Sequence, residues 1–466
     1  MGKGSGEVRQ DPATQADLDR YAEAERQLEQ MQAPVLLQHD NPHQRLYIAA
    51  MDGTGNSIYK DAPETWSAVG KIYDQVKTLN KAGLSNIQTG YVEGIGTQDN
   101  KLAKGWDGLT GHTFEERLET AYHKFCVQAK QWLEEDPNAE IRVAAVGFSR
   151  GAELSAALTR VIHERGIMDP ESAKIEMDSK GLVTRAEYTQ QLVPPGQTMQ
   201  AVMLFDPVAT NITEHDRRLP ASVVGGFSIM SQDRRDQFKG NRLIPDGMTE
   251  AGRFLSVTVP GAHSDTGNTY RTNGLGILSA NMAVDFLNSL SDRDFLTKQA
   301  VSQDPAQYVI HRSEDHMLLY TTRGFRDGER DFIERPGPAG QCRIEPQPDC
   351  TRKAPVDPAL DDGVQRQPVR IQPADKPPSL EMQQKADLDP VSALFNRMTD
   401  ATLRGDTSAA LQAGREYAQS PDGQAWLQQG RQSNIEQQLA QEREQAAQLA
   451  QQQQQAEIQR APVMRL

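Results

Sequence analysis

From about residue 44 to residue 320 the chain alternates short apolar runs with stretches whose apolar positions recur every three to four residues. The runs Leu46 to Met51, Val143 to Val146, Met199 to Phe205 and Phe254 to Val259 lack a regular polar face, the pattern of strands buried on both sides. Helical spacing appears in Trp66, Val69, Ile72, Tyr73, Val76 and Leu79, in a helix starting near Glu64. It recurs in Phe114, Leu118, Phe125, Ala129 and Trp132, again in Leu154, Ala157, Leu158, Val161 and Ile162, and from Leu275 to Leu290. A short strand is expected near Tyr91, and Tyr308 to Ile310 and Met317 to Tyr320 read as the last strands. Strands alternating with helices predict an α/β fold: a mostly parallel sheet covered by helices on both faces, of the α/β-hydrolase kind.

The flanks follow other rules. Asp11 and Pro12 make an N-cap and first turn for a helix to about Met31, with Leu18, Tyr21, Leu28 and Met31 on a narrow apolar stripe. Residues 1–43 therefore read as a polar N-terminal helix and extension that docks on the main domain or stays mobile, and residues 44–333 as the catalytic domain. Residues 166–198, polar and rich in turn formers, are expected to lie over the active-site face. Proline is frequent and periodicity is lost over residues 334–390, which reads as a linker or an extended segment. Residues 391–423 regain some helical signal. The end of the chain, with its run Gln451 to Gln455, carries too few apolar residues for a core, so residues 391–466 are expected to form a helical to disordered tail.

Composition narrows the field. A formal charge of −14 over 466 residues makes nucleic acid an unexpected partner and argues against simple attraction to anionic membranes. The 37% hydrophobic content supplies ample core. The Leu275 to Leu290 stretch is broken by Asn281 and Asp285, so it reads as an amphipathic helix and not a membrane span. The first 40 residues have no apolar stretch of secretory type. Of the three cysteines, Cys342 and Cys350 are close enough to bridge a small loop in an oxidising compartment, or stay as reduced thiols.

Candidate chemistry gathers where the apolar runs stop. Val143 to Val146 ends in Gly147-Phe148-Ser149-Arg150-Gly151 and passes straight into a helix, the layout of a nucleophile elbow. A reactive serine must stand clear of the backbone on a sharp turn, and Gly147 and Gly151 leave room for the neighbouring strand and helix. Leu46 to Met51 ends in Asp52-Gly53-Thr54-Gly55-Asn56, Met199 to Phe205 ends at Asp206-Pro207, and Phe254 to Val259 ends in Pro260-Gly261-Ala262-His263-Ser264-Asp265. Reacting groups of open α/β sheets sit on loops at the carboxyl ends of strands. The order Ser, Asp, His is the triad order of α/β-hydrolases. The candidate nucleophile is Ser149, the candidate base His263 and the candidate acid Asp206, with the backbone N–H of Arg150 and of Gly53 or Thr54 as oxyanion donors. His311 or His316 stands as an alternative base, and Asp265 as an alternative acid. The Asp52 loop lacks the Gly-Lys-Ser/Thr ending of a phosphate loop. This chemistry calls for no cofactor and no metal.

Five motifs taken together carry a resemblance: Met51 to Asn56, Tyr91-Val92-Glu93-Gly94-Ile95-Gly96-Thr97, Gly147 to Ala152, Leu204 to Val208, and Pro260 to Asp265. In type and order they are similar to the catalytic domain of the bacterial type VI secretion lipase effectors, over about residues 44–320. The resemblance implies a phospholipase that cleaves acyl esters of membrane glycerophospholipids. It would be delivered by one bacterium into a competitor and neutralised in the producer by an immunity protein. By motif the family's triad falls on Ser149, Asp206 and His263. The chain departs from the pattern at Pro207 and in the glycine-poor stretch Gly267-Asn268-Thr269.

The sequence reading is thus a serine esterase of the phospholipase A type, held in the producer's cytoplasm and then secreted without a signal peptide. The tail engages the secretion machinery; it faintly resembles the C-terminal signals of type IV secreted antibacterial effectors. A soluble carboxylesterase or thioesterase, and a non-catalytic binding or assembly module, are the alternatives. Because every catalytic candidate precedes residue 320, a chain cut near Pro355 is expected to fold and keep its turnover.

Overall fold

The computed structural model describes residues 8–95, 113–209, 212, 216–232, 240–249, 252–312, 332–333, 363–380 and 407–420, with isolated positions at 360, 397, 421, 424 and 428. Outside them lie Gly96 and Thr97, the expected strand Met317 to Tyr320, the alternative base His316, Cys342 and Cys350, most of the expected linker, and the Gln-rich end of the tail. The chain divides into two compact units, residues 1–379 and 380–466.

The first unit is built on a seven-stranded sheet. Its early elements are β1 (Gln10–Pro12), α1 (Gln15–Glu29), β2 (Gln32–Pro34), β3 (Gln44–Met51), α2 (Ala68–Lys81), β4 (Ile87–Val92), α3 (Phe114–Glu135), β5 (Glu140–Phe148) and α4 (Arg150–Arg165). Then follow β6 (Gln200–Phe205), β7 (Val223–Ser231), β8 (Gly247–Met248), β9 (Phe254–Val259), the single-turn α5 (His263–Thr266), α6 (Gly274–Asn288), β10 (Val309–His311) and β11 (Arg366–Pro368). The sheet order is β8-β9-β7-β6-β5-β3-β4, parallel throughout except for β8, which runs antiparallel to β9. From β3 the chain moves outward through α2 to β4, then returns through α3 to place β5 on the other side of β3. The direction of winding reverses between β3 and β5, and their carboxyl ends diverge into the crevice where such sheets carry their ligands.

Strand β7 has no counterpart in the sequence reading. All nine of its residues are buried, yet its third and fourth residues are Gly225 and Gly226, which break the apolar pattern. Packing explains the glycines: a Cβ at Gly225 would sit 2.7 Å from Pro34 Cδ, and one at Gly226 2.6 Å from Val202 Cγ2.

Expectations about the periphery change in several places. Asp11 and Pro12 do not start the first helix: they belong to β1, which pairs antiparallel with β10. The cap is Thr14, which accepts the Asp17 N–H while the Asp17 carboxylate accepts the Thr14 N–H, a reciprocal box that satisfies two otherwise orphaned donors. The helix itself docks on the main domain, one of the two placements open from its stripe: α1 buries Leu18, Tyr21, Ala24 and Leu28, and the Tyr21 hydroxyl donates to the Pro260 carbonyl at 2.9 Å. The helix expected from Glu64 starts at Ala68, capped by Ser67, with Glu64 in a preceding 3₁₀ turn. Residues 166–198 form short antiparallel pairs along α3, where Val183 N–H meets Thr120 Oγ1 and Lys130 meets Asp169, and do not cover the active-site face.

The last revision concerns the expected linker. Residues 363–376 form a strap across the first unit: β11 pairs with β2, Val369 is buried, and Arg366 donates to the Val224 carbonyl. The strap and residues 295–301 enclose α6, whose Asn281 and Asp285 are the polar breaks seen in the sequence and whose last residue is Asn288. Asn281 bonds both the N–H and the carbonyl of Gln299. Asn288 bonds Phe295 and Leu296. Asp285 accepts the Gln372 N–H and pairs with Lys298 at 2.6 Å. Burial nonetheless pushes the Asp285 carboxyl up to about 6, with Lys298 opposing the shift. Arg370 donates to the carbonyls of Asn288 and Ser291, closing the carboxyl end of α6.

In the second unit, Thr407–Gln419 is a helix, α7.

Candidate active site

Ser149 stands between the last residue of β5 and the first of α4 with φ 58° and ψ −125°, a conformation that costs a non-glycine residue about 1–3 kcal/mol. The turn is pinned on three sides. Ser149 N–H donates to the Phe205 carbonyl at 2.9 Å, and the Ser149 carbonyl accepts from Ala152 and Val208. The flanking glycines are required by contact: a Cβ on Gly147 would lie 2.3 Å from the Gly151 carbonyl oxygen, and one on Gly151 2.3 Å from that of Met51. A serine held in this way presents its hydroxyl at the tip of the turn.

Strand register sets its neighbours. Phe148 pairs with Phe205, so Ser149 and Asp206 leave adjacent strands side by side. Asp206 also has a positive φ of 42° and is fully buried. Its carboxylate accepts the Ser231 N–H and hydroxyl, both at 3.1 Å, and meets His263 Nδ1 at 2.5 Å. A buried carboxylate with these partners holds the imidazole by Nδ1, which leaves Nε2 as its proton-accepting atom. His263 opens the single turn after β9, and its ring lies against Phe148 with centroids 4.7 Å apart.

Phe148 ties three loops together. A Cβ on Gly53 would fall 2.3 Å from its Cδ1, and one on Gly267 2.3 Å from its Cζ. The loops after β3, β5 and β9 thus meet around one ring, so the sparse glycine of Gly267-Asn268-Thr269 still places glycine where the ring demands it. Pairwise sequence motifs carry no signal for such a contact.

The oxyanion candidates separate. Gly53 N–H donates to Asp52 Oδ1 at 2.7 Å, which removes it from the set. Among the described residues Thr54 N–H has no acceptor, while its hydroxyl accepts from Arg150 Nε at 2.8 Å, holding this loop against the start of α4. Asp52 is an anchor: buried beneath the loop, its carboxylate accepts from the Tyr91 hydroxyl at 2.6 Å, and burial holds its carboxyl above the usual range.

The alternative pair lies elsewhere. His311 is buried with Nδ1 2.5 Å from Asp265 Oδ1, so Asp265 engages His311 and not His263. Behind the elbow, sequence reading missed Glu153, one turn along α4. It is fully buried, meets Arg217 at 3.3 Å, and accepts from Asn241 Nδ2 at 2.9 Å. Asn241 N–H donates in turn to the Pro207 carbonyl, which joins the nucleophile helix to the Asp206 loop. Burial pushes the Glu153 carboxyl up to about 7, against the pull of Arg217 and Asn241.

Comparison with protein families bears on the part of this geometry that contains the elbow. Residues 45–190 match the family model of the type VI secretion phospholipase effector Tle1-like catalytic domain. It is the family to which the five sequence motifs pointed. The match takes in the loop after β3 and the elbow, and ends before Asp206 and His263. Comparison with curated proteins gives no match. Among solved structures, the chain is similar to an uncharacterized protein from Pseudomonas aeruginosa at 14% identity and a TM-score of 0.35, over 67% of this chain and 55% of that one. It is also similar to the Tle1 effector bound to the VgrG spike of a type 6 secretion system, at 17% identity and a TM-score of 0.28, over 48% of this chain and 51% of that one. The chain therefore spans about half the length of these two proteins. A truncated carbohydrate esterase from gut microbiota is similar at 11% identity and a TM-score of 0.23, over 52% of this chain and 86% of that one. Among the described residues no helix is long and apolar enough to cross a membrane.

Proposed function

We propose that this chain is a serine esterase that hydrolyses acyl esters of membrane phospholipids and serves as an antibacterial effector passed to competing cells. The observation that carries the reading is the buried Asp206–His263 pair beside a serine on a strained strand-to-helix turn. The family match over residues 45–190 supports the substrate class.

In this mechanism Ser149 Oγ attacks the ester carbonyl as its proton passes to His263 Nε2, and Asp206 stabilises the imidazolium through Nδ1. The tetrahedral oxyanion is met by the N–H groups of Thr54 and Arg150, the latter at the positive end of α4. Collapse expels the lysophospholipid, which takes the proton from His263. Water, activated by the same imidazole, then releases the fatty acid and restores Ser149. No metal or cofactor takes part. A cognate immunity protein and the secretion machinery, reached through the C-terminal unit, are the proposed partners.

The test compares wild type and Ser149→Ala on mixed phospholipid vesicles and on a short soluble ester. Loss of a triad member lowers kcat by about 10⁴ to 10⁶, and wild type is expected to prefer vesicles. Wild-type turnover in Ser149→Ala refutes the nucleophile; activity confined to the soluble ester makes the protein a carboxylesterase or thioesterase; no activity on any ester favours a binding module.

A further inference from the structure

Asp265 follows His263 by two residues and shares its single helical turn, yet its carboxylate faces the other way. Oδ2 accepts the Ala262 N–H at 2.8 Å and the His311 N–H at 3.1 Å, while Oδ1 meets His311 Nδ1 at 2.5 Å. Both residues are buried, at 1% and 2% exposure. The second ring nitrogen of His311 faces the Gln10 side-chain amide at 3.2 Å, and the Tyr270 ring stacks on the imidazole with centroids 3.6 Å apart. A neutral ring that donates from Nδ1 and accepts at Nε2 satisfies every one of these partners. The neighbouring charges, Arg312 and Asp11, pair with each other.

We propose that Asp265 and His311 are positioning residues for His263. This rests on the reading of His263 as the base given above. The turn before it, Pro260 to Ala262, is held at Pro260 by Tyr21 and at Ala262 by Asp265, and Gly261 adopts φ 123° between them. Asp265 can hold this shape only if something holds Asp265, and His311 does so with two donors. The base and its brace are thus two Asp–His pairs back to back on one helical turn. Asp206–His263 faces the nucleophile, and Asp265–His311 fastens the turn to the β1–β10 ribbon. A shift of about 1 Å in a reacting group lowers turnover on the order of 100-fold, so releasing the second pair acts on kcat through the first.

The experiment uses the full chain and the variants Asp265→Asn, His311→Leu and His311→Asn, with Ser149→Ala in parallel. It measures kcat and KM on a short soluble ester from pH 5 to 9, together with thermal melting. His311→Leu and Asp265→Asn are expected to lower kcat by about 10- to 100-fold with KM changed less than about twofold. The acid limb of kcat is expected to move to lower pH, because a misaligned Asp206 stabilises the imidazolium of His263 less. His311→Asn, whose side-chain N–H can replace Nδ1–H, is expected to recover most of the loss. Wild-type kcat and acid limb in His311→Leu overturn the proposal, as does a loss matched by the unfolded fraction with the acid limb unmoved. Wild-type turnover in Ser149→Ala overturns the mechanism as well, which separates the two failures.

Discussion

Arg370 sits outside every catalytic candidate, yet replacing it tests how the first unit is held. Its guanidinium donates to the Asn288 carbonyl at 2.8 Å and the Ser291 carbonyl at 3.0 Å, both on fully buried residues, and to Asp294 at 2.8 Å. A hydrogen bond from a charged donor contributes about 1.5–3 kcal/mol. The Asp294 pair, whose side chains are 33% and 46% exposed, adds little. Discounting the first two for water that can replace a partly exposed guanidinium, Arg370→Ala is expected to destabilise by about 2–4 kcal/mol. With an unfolding entropy of about 2.1 cal/mol/K per residue, a unit of this size loses roughly 3–5 °C in Tm. Arg370→Lys, a point donor that cannot fork between two carbonyls, is expected to fall between. Scanning calorimetry at one scan rate reads the difference, and a Tm within about 1 °C of wild type for Arg370→Ala refutes the capping role. A chain cut near Pro355 loses Arg370, β11 and the Gln372 contact to Asp285 together, so it is expected to melt lower than Arg370→Ala and to lose soluble activity. This reverses the expectation drawn from sequence.

Glu153→Gln tests the buried carboxyl behind the elbow. Its folded value of about 7 lies above the unfolded 4.5, so ionising it works against the fold, and wild-type stability falls as pH rises between those values. Urea unfolding should show the stability of Glu153→Gln rising relative to wild type as pH goes from about 4 to about 8, whatever the constant offset from leaving Arg217 without its carboxylate; a pH-independent difference contradicts the assignment. Gly267→Ala places a Cβ 2.3 Å from Phe148 Cζ, so kcat should fall at least about tenfold as the ring is pushed from His263; unchanged kcat removes Phe148 from the arrangement. A chain ending at Ser379 keeps the strap, and is expected to retain wild-type turnover in vitro while failing to kill competitors in mixed culture. Killing at the wild-type level refutes a delivery role for the second unit.

What sequence made legible depended on how local the cause was. β3, β5, β6 and β9 were readable because strands buried on both faces have to be apolar throughout, and their ends marked Ser149, Asp206 and His263. β7 was not, because Gly225 and Gly226 answer to Pro34 and Val202, residues far away in sequence. With β7 went Ser231, which holds the Asp206 carboxylate. The strap was hidden for a similar reason: β11 is short and ends in proline, and it is held by β2 and by the carbonyls of Val224, Ser289 and Ser291, which no local pattern reports. In the loop after β3, the motif marked a tight turn, but the engagement of Gly53 by Asp52 needed the three-dimensional arrangement.

Three residues other than glycine adopt positive φ among the described ones: Ser149, Asp206 and Asn268. Two are candidate catalytic groups, and the third follows the glycine packed on Phe148. Glycine fits such a backbone better wherever the side chain is not needed, and Asn268 needs its own: fully buried, it accepts from Asn273 Nδ2 at 2.7 Å and donates to Gln299 Oε1 at 3.3 Å. As the proposed nucleophile and acid, Ser149 and Asp206 have no freedom to become glycine while the protein is under selection for activity. A descendant released from that selection would be free to drift toward glycine at Ser149, while Asp206 would still be held by the hydrogen bonds it accepts from the buried Ser231 N–H and hydroxyl. Glycine at the counterpart of Ser149 would then mark a retired copy more clearly than any loss elsewhere in the sheet.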